Sequence, residues 1–221
     1  MYFPIILSFK VASLSLLFVA PVGIALAWLQ ARREYPLHTL VDAAILLPLV
    51  LPPSVVGYLL IVLLGRNGLI GEWLLQLAGI RIIFSPAAAV IASSIVALPI
   101  LVKTAQPAIE AVPDELEQVG SSLGLPPLSL FFRVTLRSAW KGITAALVLA
   151  FARAMGEFGA TLMFAGNIPG STNTMPLEIF TAYRAGEDAR ALAYVLVLTA
   201  FSCLVVFMAS VLSPRDGRRA G

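Results

Sequence analysis

Along the chain, long apolar runs alternate with short polar ones, and the position of each charge sets the element count. Four windows carry no Asp, Glu, Lys or Arg: 11–31, 43–65, 82–102 and 191–214. A membrane-crossing helix needs about 20 mostly apolar residues, and each window meets that length. A fifth apolar stretch, 142–165, is interrupted only by Arg153 and Glu157. The pattern predicts an all-α integral membrane protein of one domain, 1–221, with five transmembrane helices at about 5–30, 43–65, 82–105, 142–165 and 190–213.

Two connecting segments have helical patterning of their own. In 66–81, Trp73, Leu74 and Leu77 give an amphipathic surface segment. The longer segment, about 106–140, follows Pro107 and Pro113, which are expected to end the third helix. Asp114, Glu115 and Glu117 then suit a helix N-terminus, and Gly124 with Pro126 and Pro127 suits its stop. Between them Leu116, Val119 and Leu123 form one apolar stripe, beside the small residues Gly120, Ser121 and Ser122. Such a short helix either docks a partner or packs on its own bundle.

Composition narrows the class. Of the 221 residues 59% are hydrophobic and 12% charged; a soluble domain has about 45–50% and about 25%. A water-soluble globule, a disordered chain and a disulfide scaffold are excluded. Cys203 is the only cysteine, so no internal disulfide forms, and His38 is the only histidine, which excludes a His-based metal cluster. A net charge of +3 argues against nucleic acid as a partner. The first window has no basic residue before Lys10 and no small-x-small site after it, so it is expected to stay in the mature protein.

Basic residues orient the spans. With the N-terminus outside, the inner segments hold Arg32, Arg33, Lys103, Arg133, Arg137, Lys141, Arg215, Arg218 and Arg219. The outer segments hold Arg66, Arg81, Arg184 and Arg190, with Lys10 near the outer end of the first helix. The expected topology is therefore N-out and C-in, which puts segment 106–140 on the cytoplasmic face.

Several residues inside the spans invite a role. Arg153 and Glu157 stand four apart, on one face of the fourth helix, where a lone charge costs about 2.5–3.5 kcal/mol. They read either as a gate element or as an ion pair that orients helices, and stranding one partner is expected to harm more than removing both. Pro48, Pro52 and Pro53, followed by Gly57, predict a kinked second helix that either flexes along a pore or packs statically. Gly156 and Gly159 allow close helix approach. The polar stretch 166–176 lies at the outer face, as a solvated turn, a contact for an external protein or a lining of the outer mouth.

The cytoplasmic segment resembles the coupling loop of ATP-binding-cassette (ABC) importer permeases, whose pattern is Glu-Ala-Ala, three residues, Gly, nine residues, Ile-x-Leu-Pro. Aligning Gly124 puts Gln118, Val119 and Gly120 on the Glu-Ala-Ala positions and Val134, Leu136 and Arg137 on the last three. Gln118, Val119 and Arg137 depart from the pattern. The run from Leu46 to Tyr58 and the block Arg153-Ala154-Met155-Gly156-Glu157-Phe158-Gly159-Ala160 are similar to molybdate-type permeases. So are Asn167-Ile168-Pro169-Gly170 and Thr174-Met175-Pro176. Sulfate permeases tend to have Tyr after the Glu, so Phe158 leans to molybdate. The likeness runs from about Leu14 to Leu212.

That resemblance implies a non-catalytic transport subunit of the bacterial cytoplasmic membrane that carries molybdate, with tungstate as a second cargo. It implies a homodimer of this chain, two cytoplasmic ATPase subunits, an external oxyanion-binding protein and surrounding lipid. ATP and Mg would be bound by the ATPase; no Gly-x-x-x-x-Gly-Lys-Ser/Thr phosphate loop occurs here, and no cofactor or metal is expected in this chain. Coupling would use Glu117, Gln118, Val119, Gly120, Leu123, Gly124 and Leu136. Pore or gate roles would fall to Pro48, Pro52, Pro53, Gly57, Arg153, Gly156, Glu157 and Gly159. The alternatives are a sulfate or other tetrahedral-oxyanion permease of the same type, a gradient-driven transporter or channel, and a non-transporting membrane scaffold.

Overall fold

The computed structural model describes residues 2–33 and 35–212, with the backbone alone at Leu212. Arg215, Arg218 and Arg219, part of the inner basic count, and position 213 of the last expected span lie outside the described residues. All regular structure among the described residues is helical. The helices are α1 (Tyr2–Arg32), α2 (His38–Val50), α3 (Pro53–Leu64), α4 (Gly71–Ala78), α5 (Pro86–Glu110) and α6 (Asp114–Ser122). They continue with α7 (Pro127–Leu130), a π-helical turn (Phe131–Thr135), α8 (Leu136–Ser138), α9 (Trp140–Met155), α10 (Gly159–Phe164), α11 (Met175–Arg184) and α12 (Asp188–Leu212).

Helices α1, α5 and α12 are each long and apolar enough to cross a membrane. Two further pairs qualify only when each bent pair is taken as one span, so three to five crossings fit the chain. The stretch 43–65 is two helices, α2 and α3, bent by 111°. Leu51 and Pro52 each precede a proline, and both are extended, with ψ of 142° and 135°. A proline ring disfavours the helical region for the residue before it, so two in succession end the helix. Pro48, by contrast, stays inside α2.

Pro107 likewise does not end the third helix. Helix α5 runs through it to Glu110, as it also runs through Pro99, each proline leaving out a single backbone donor. The Pro107 carbonyl still accepts the Ala111 N–H at 3.0 Å. Segment 127–138 bends by 80° into α9. The single helix expected over 142–165 is instead α9 and α10, parted at Gly156, Glu157 and Phe158. At 16 residues, α9 is about 24 Å long, short of the roughly 30 Å hydrocarbon core.

Helices α1 and α5 run side by side in the same direction. Ser15 Oγ donates to the Val90 carbonyl at 2.9 Å. A Cβ on Gly23 would lie 2.5 Å from Leu101 Cδ2. Helix α9 presses on α5 where a Cβ on Gly142 would meet Ala108 Cβ at 2.3 Å. Small residues dominate this core, with Ala12, Ala105, Ala146 and Ala150 fully buried between α1, α5 and α9. Lipid offers no solvophobic push between helices, so close backbone approach through small side chains supplies the attraction. A second cluster joins α3 and α10 to the first halves of α1 and α5 through Leu7, Val56, Leu60, Ala88, Ala160 and Phe164.

Candidate functional site

Two places gather the residues singled out above. The first is the junction of the two broken spans. Helix α9 closes with Gly156 N–H to the Ala152 carbonyl at 3.1 Å and Glu157 N–H to the Ala154 carbonyl at 3.3 Å. Glu157 thus lies in the break and not on the helix with Arg153. Its carboxylate accepts the Ala160 N–H at 2.8 Å through Oε1 and pairs with Arg153 Nη2 at 2.8 Å through Oε2. The first N–H groups of any helix lack partners within it, so Glu157 both caps α10 and is neutralised by Arg153. The Glu157 side chain is 1% exposed and that of Arg153 30%.

The α2/α3 break lies directly against this one. A Cβ on Gly159 would lie 2.8 Å from Pro53 Cβ. One on Gly57 would lie 2.6 Å from Met163 Cβ and 3.0 Å from the Ala160 carbonyl oxygen. Pro53, Gly57, Glu157 and Gly159 therefore form one contact, with Arg153 at its edge. Pro48 sits back inside α2. Gly156 permits no close approach: its Cβ would meet only its own helix, at 3.6 Å from the Ala152 carbonyl oxygen.

The second place is the end of the bundle where α1 and α5 finish. Here α6 folds as the acidic first turn and Gly124 require. Gly124 has φ +79°. Its N–H reaches the Ser121 carbonyl at 2.9 Å, and the Leu125 N–H reaches the Gly120 carbonyl at 3.2 Å. That paired closure needs a left-handed residue, which glycine supplies without strain. The expected apolar stripe faces away from the bundle: Leu116, Val119 and Leu123 are all exposed, Leu123 at 77%.

The aligned coupling positions split between the two faces of α6. Gln118, Val119 and Leu123 are outward. Glu117 points inward, 3.4 Å from Arg32 Nε, and accepts from Thr135 Oγ1 at 2.5 Å. Gly120 is buried, and a Cβ there would lie 2.4 Å from Leu130 Cδ2. Leu136 packs against the main core and not beside the stripe.

Two features had no signal in the sequence pattern. Arg32 reaches Asp114, 82 positions away, and no local spacing links them. The stretch 166–176 is not a plain solvated turn. Thr172, Asn173 and Thr174 are buried, and Met175 N–H donates to Ser8 Oγ at 2.8 Å. Asn173 Nδ2 donates to Glu178 Oε2 at 3.0 Å, and Glu178 pairs with Arg190. An Asn-Thr-rich run reads as a loop because its polar groups can meet water. Here Asn173 meets Glu178 of α11, the Met175 N–H meets Ser8 of α1, and the Thr172 hydroxyl meets the Ile168 N–H and the Gly166 carbonyl of its own loop.

Comparison with known proteins fits this architecture. Residues 20–216 match the family described as "Binding-protein-dependent transport system inner membrane component". The chain is 41% identical over 218 residues to the Escherichia coli K12 molybdenum transport system permease protein ModB, covering 98% of this chain and 95% of that one. It is 42% identical over 210 residues to the ModB of Mycobacterium tuberculosis, covering 95% and 79%. Among solved structures, a bacterial ABC transporter that imports alginate aligns with TM-score 0.72 at 16% identity, over 95% of this chain and 78% of that one. The MetNI methionine ABC transporter, inward facing, aligns with TM-score 0.64 at 14% identity, over 96% and 94%. These two share the fold. With its match spanning 20–216 and full-length relatives above 40% identity, the chain belongs to the family of inner membrane components of binding-protein-dependent transport systems.

Proposed function

We propose that this chain is the membrane-spanning subunit of an ABC importer that carries molybdate, with tungstate as a second cargo, into the bacterial cytoplasm. The observation that carries the reading is 41% identity, over 98% of the chain, to a molybdenum transport permease. The whole chain, 1–221, acts as one transmembrane unit of five spans, each bent pair counting once, with the N-terminus outside and the C-terminus inside. Two copies form the pore, two ATPase subunits bind α6 from the cytoplasm, and an external oxyanion-binding protein delivers cargo. ATP and Mg reside on the ATPase.

The geometry supports a division of labour. On α6, an exposed apolar stripe offers what a groove on an ATPase would bury, while its inner face is held by the bundle. Two breaks meeting at Pro53 and Gly159 provide a place where half-helices can shift as bodies, since interrupted spans concentrate change at the break. Glu157 cancels the charge of Arg153, so the pair does not trap a passing dianion, and release stays feasible.

Two measurements test the reading. Uptake of labelled molybdate at trace concentration is expected to vanish when the chain is deleted and to survive excess sulfate. Full competition by sulfate would move the cargo to sulfate, and uptake independent of the chain would refute the cargo assignment. Separately, Val119→Asp with Leu123→Asp is expected to weaken ATPase co-purification by about ten-fold or more, since each charge would be buried in an apolar contact. Unchanged co-purification would remove α6 as the docking helix.

A further inference from the structure

We propose that Arg32 is the positioning residue that makes α6 move with α1 and α5 as one body, so that displacement by the ATPase reaches the membrane. The inference rests on the functional reading above. Helix α6 joins α5 through only Ala111, Val112 and Pro113, and leaves through residues 123–126. Short linkers at both ends would let a pushed helix swivel in place. Something must lock it, and Arg32 sits where a lock is needed.

Its side chain is 11% exposed at the last residue of α1. One guanidinium nitrogen, Nη2, donates to the Ile109 carbonyl at 3.1 Å and to the Val112 carbonyl at 2.5 Å. Ile109 lies in the last turn of α5 and Val112 in the short linker after it, so this nitrogen holds the helix end and the linker together. Nη1 pairs with Asp114 in the first turn of α6, and Nε lies 3.4 Å from Glu117 one turn on. Through Thr135, the same Glu117 is tied to the π-helical turn that leads into α9. One planar fork therefore joins α1, α5 and α6, and Glu117 extends the joint to the fourth span. The locked face of α6 is opposite its exposed stripe, so force applied to the stripe passes through this joint. A lysine ammonium has donors on one nitrogen only and cannot hold both backbone carbonyls and both carboxylates together.

The test uses the full complex in proteoliposomes, with Arg32→Ala, Arg32→Lys and Glu117→Gln. Three readouts are taken: ATPase co-purification, ATP hydrolysis and molybdate uptake. In Arg32→Ala the complex is expected to assemble and hydrolyse ATP, while uptake per ATP falls about ten-fold or more. Arg32→Lys and Glu117→Gln should fall between it and wild type. Uptake per ATP within two-fold of wild type in an assembled Arg32→Ala complex would overturn the proposal. If Arg32→Ala does not assemble, Glu117→Gln decides alone: unchanged uptake per ATP overturns the proposal and a loss supports it. A wild-type complex that assembles but shows no ATP-dependent uptake would instead refute the functional reading itself.

Discussion

Arg153→Ala is expected to destabilise this protein more than Glu157→Gln, and the double variant to recover most of the loss. The reason is the asymmetry of burial. Arg153 is 30% exposed and Glu157 only 1%. Removing the arginine leaves a carboxylate in the interior with one remaining partner, the Ala160 N–H. Breaking a buried pair from one side costs about 3–5 kcal/mol. For a chain of this length that corresponds to a fall in Tm of roughly 10 °C in detergent. Glu157→Gln keeps an oxygen to cap Ala160 and leaves behind the cation that can still be solvated, so about 1–2 kcal/mol is expected. Arg153→Ala with Glu157→Gln strands no charge. The pattern alone ranks stranding one partner above removing both; the burial of the two partners adds which single change is the more harmful. Melting curves of the three variants decide it: equal Tm values for Arg153→Ala and wild type would mean the pair carries no structural load.

Gly57→Leu should abolish uptake, while Gly156→Ala should leave it within two-fold of wild type. At Gly57 even the first carbon of a side chain would lie 2.6 Å from Met163 Cβ and 3.1 Å from Ala160 Cα. Helices α3 and α10 would have to separate, and the seam between the two broken spans would open. Overpacking of this kind costs about 1–3 kcal/mol in general, and here it falls on the junction proposed above to shift during transport. At Gly156, φ is −89° and nothing but its own helix lies within 4 Å, so alanine fits. Uptake by well-folded Gly57→Leu protein at the wild-type rate would separate this seam from transport. Both glycines belong to the same sequence stretches as prolines and charges, yet only the packing tells them apart.

Much of the molecule was readable in advance because its causes are local. Charge-free windows mark where a helix can sit in hydrocarbon, since an unpaired charge or open backbone there is too costly. Pro52 following Leu51 and preceding Pro53 announces a break, because proline constrains the residue before it. The acidic first turn and Gly124 bound α6 by helix-end chemistry. The block from Arg153 to Ala160 carried the family likeness by identity alone.

Local pattern was thus enough for an α-helical membrane chain, its apolar stretches, its short amphipathic helix and its kinship. How these pieces meet depends on contacts between residues far apart in the chain. Pro107 stays helical in α5, as does Pro99 in its middle. The apolar stretch 142–165 breaks because the Glu157 side chain caps a new helix start, and hydropathy cannot see a cap. Arg32 finds Asp114 and Glu117 far along the chain, Asn173 finds Glu178 of α11, and the Met175 N–H finds Ser8 of α1. Periodicity and propensity act over one or two turns of helix, whereas most buried polar groups take their partners wherever the fold brings them, and that placement is written in three dimensions.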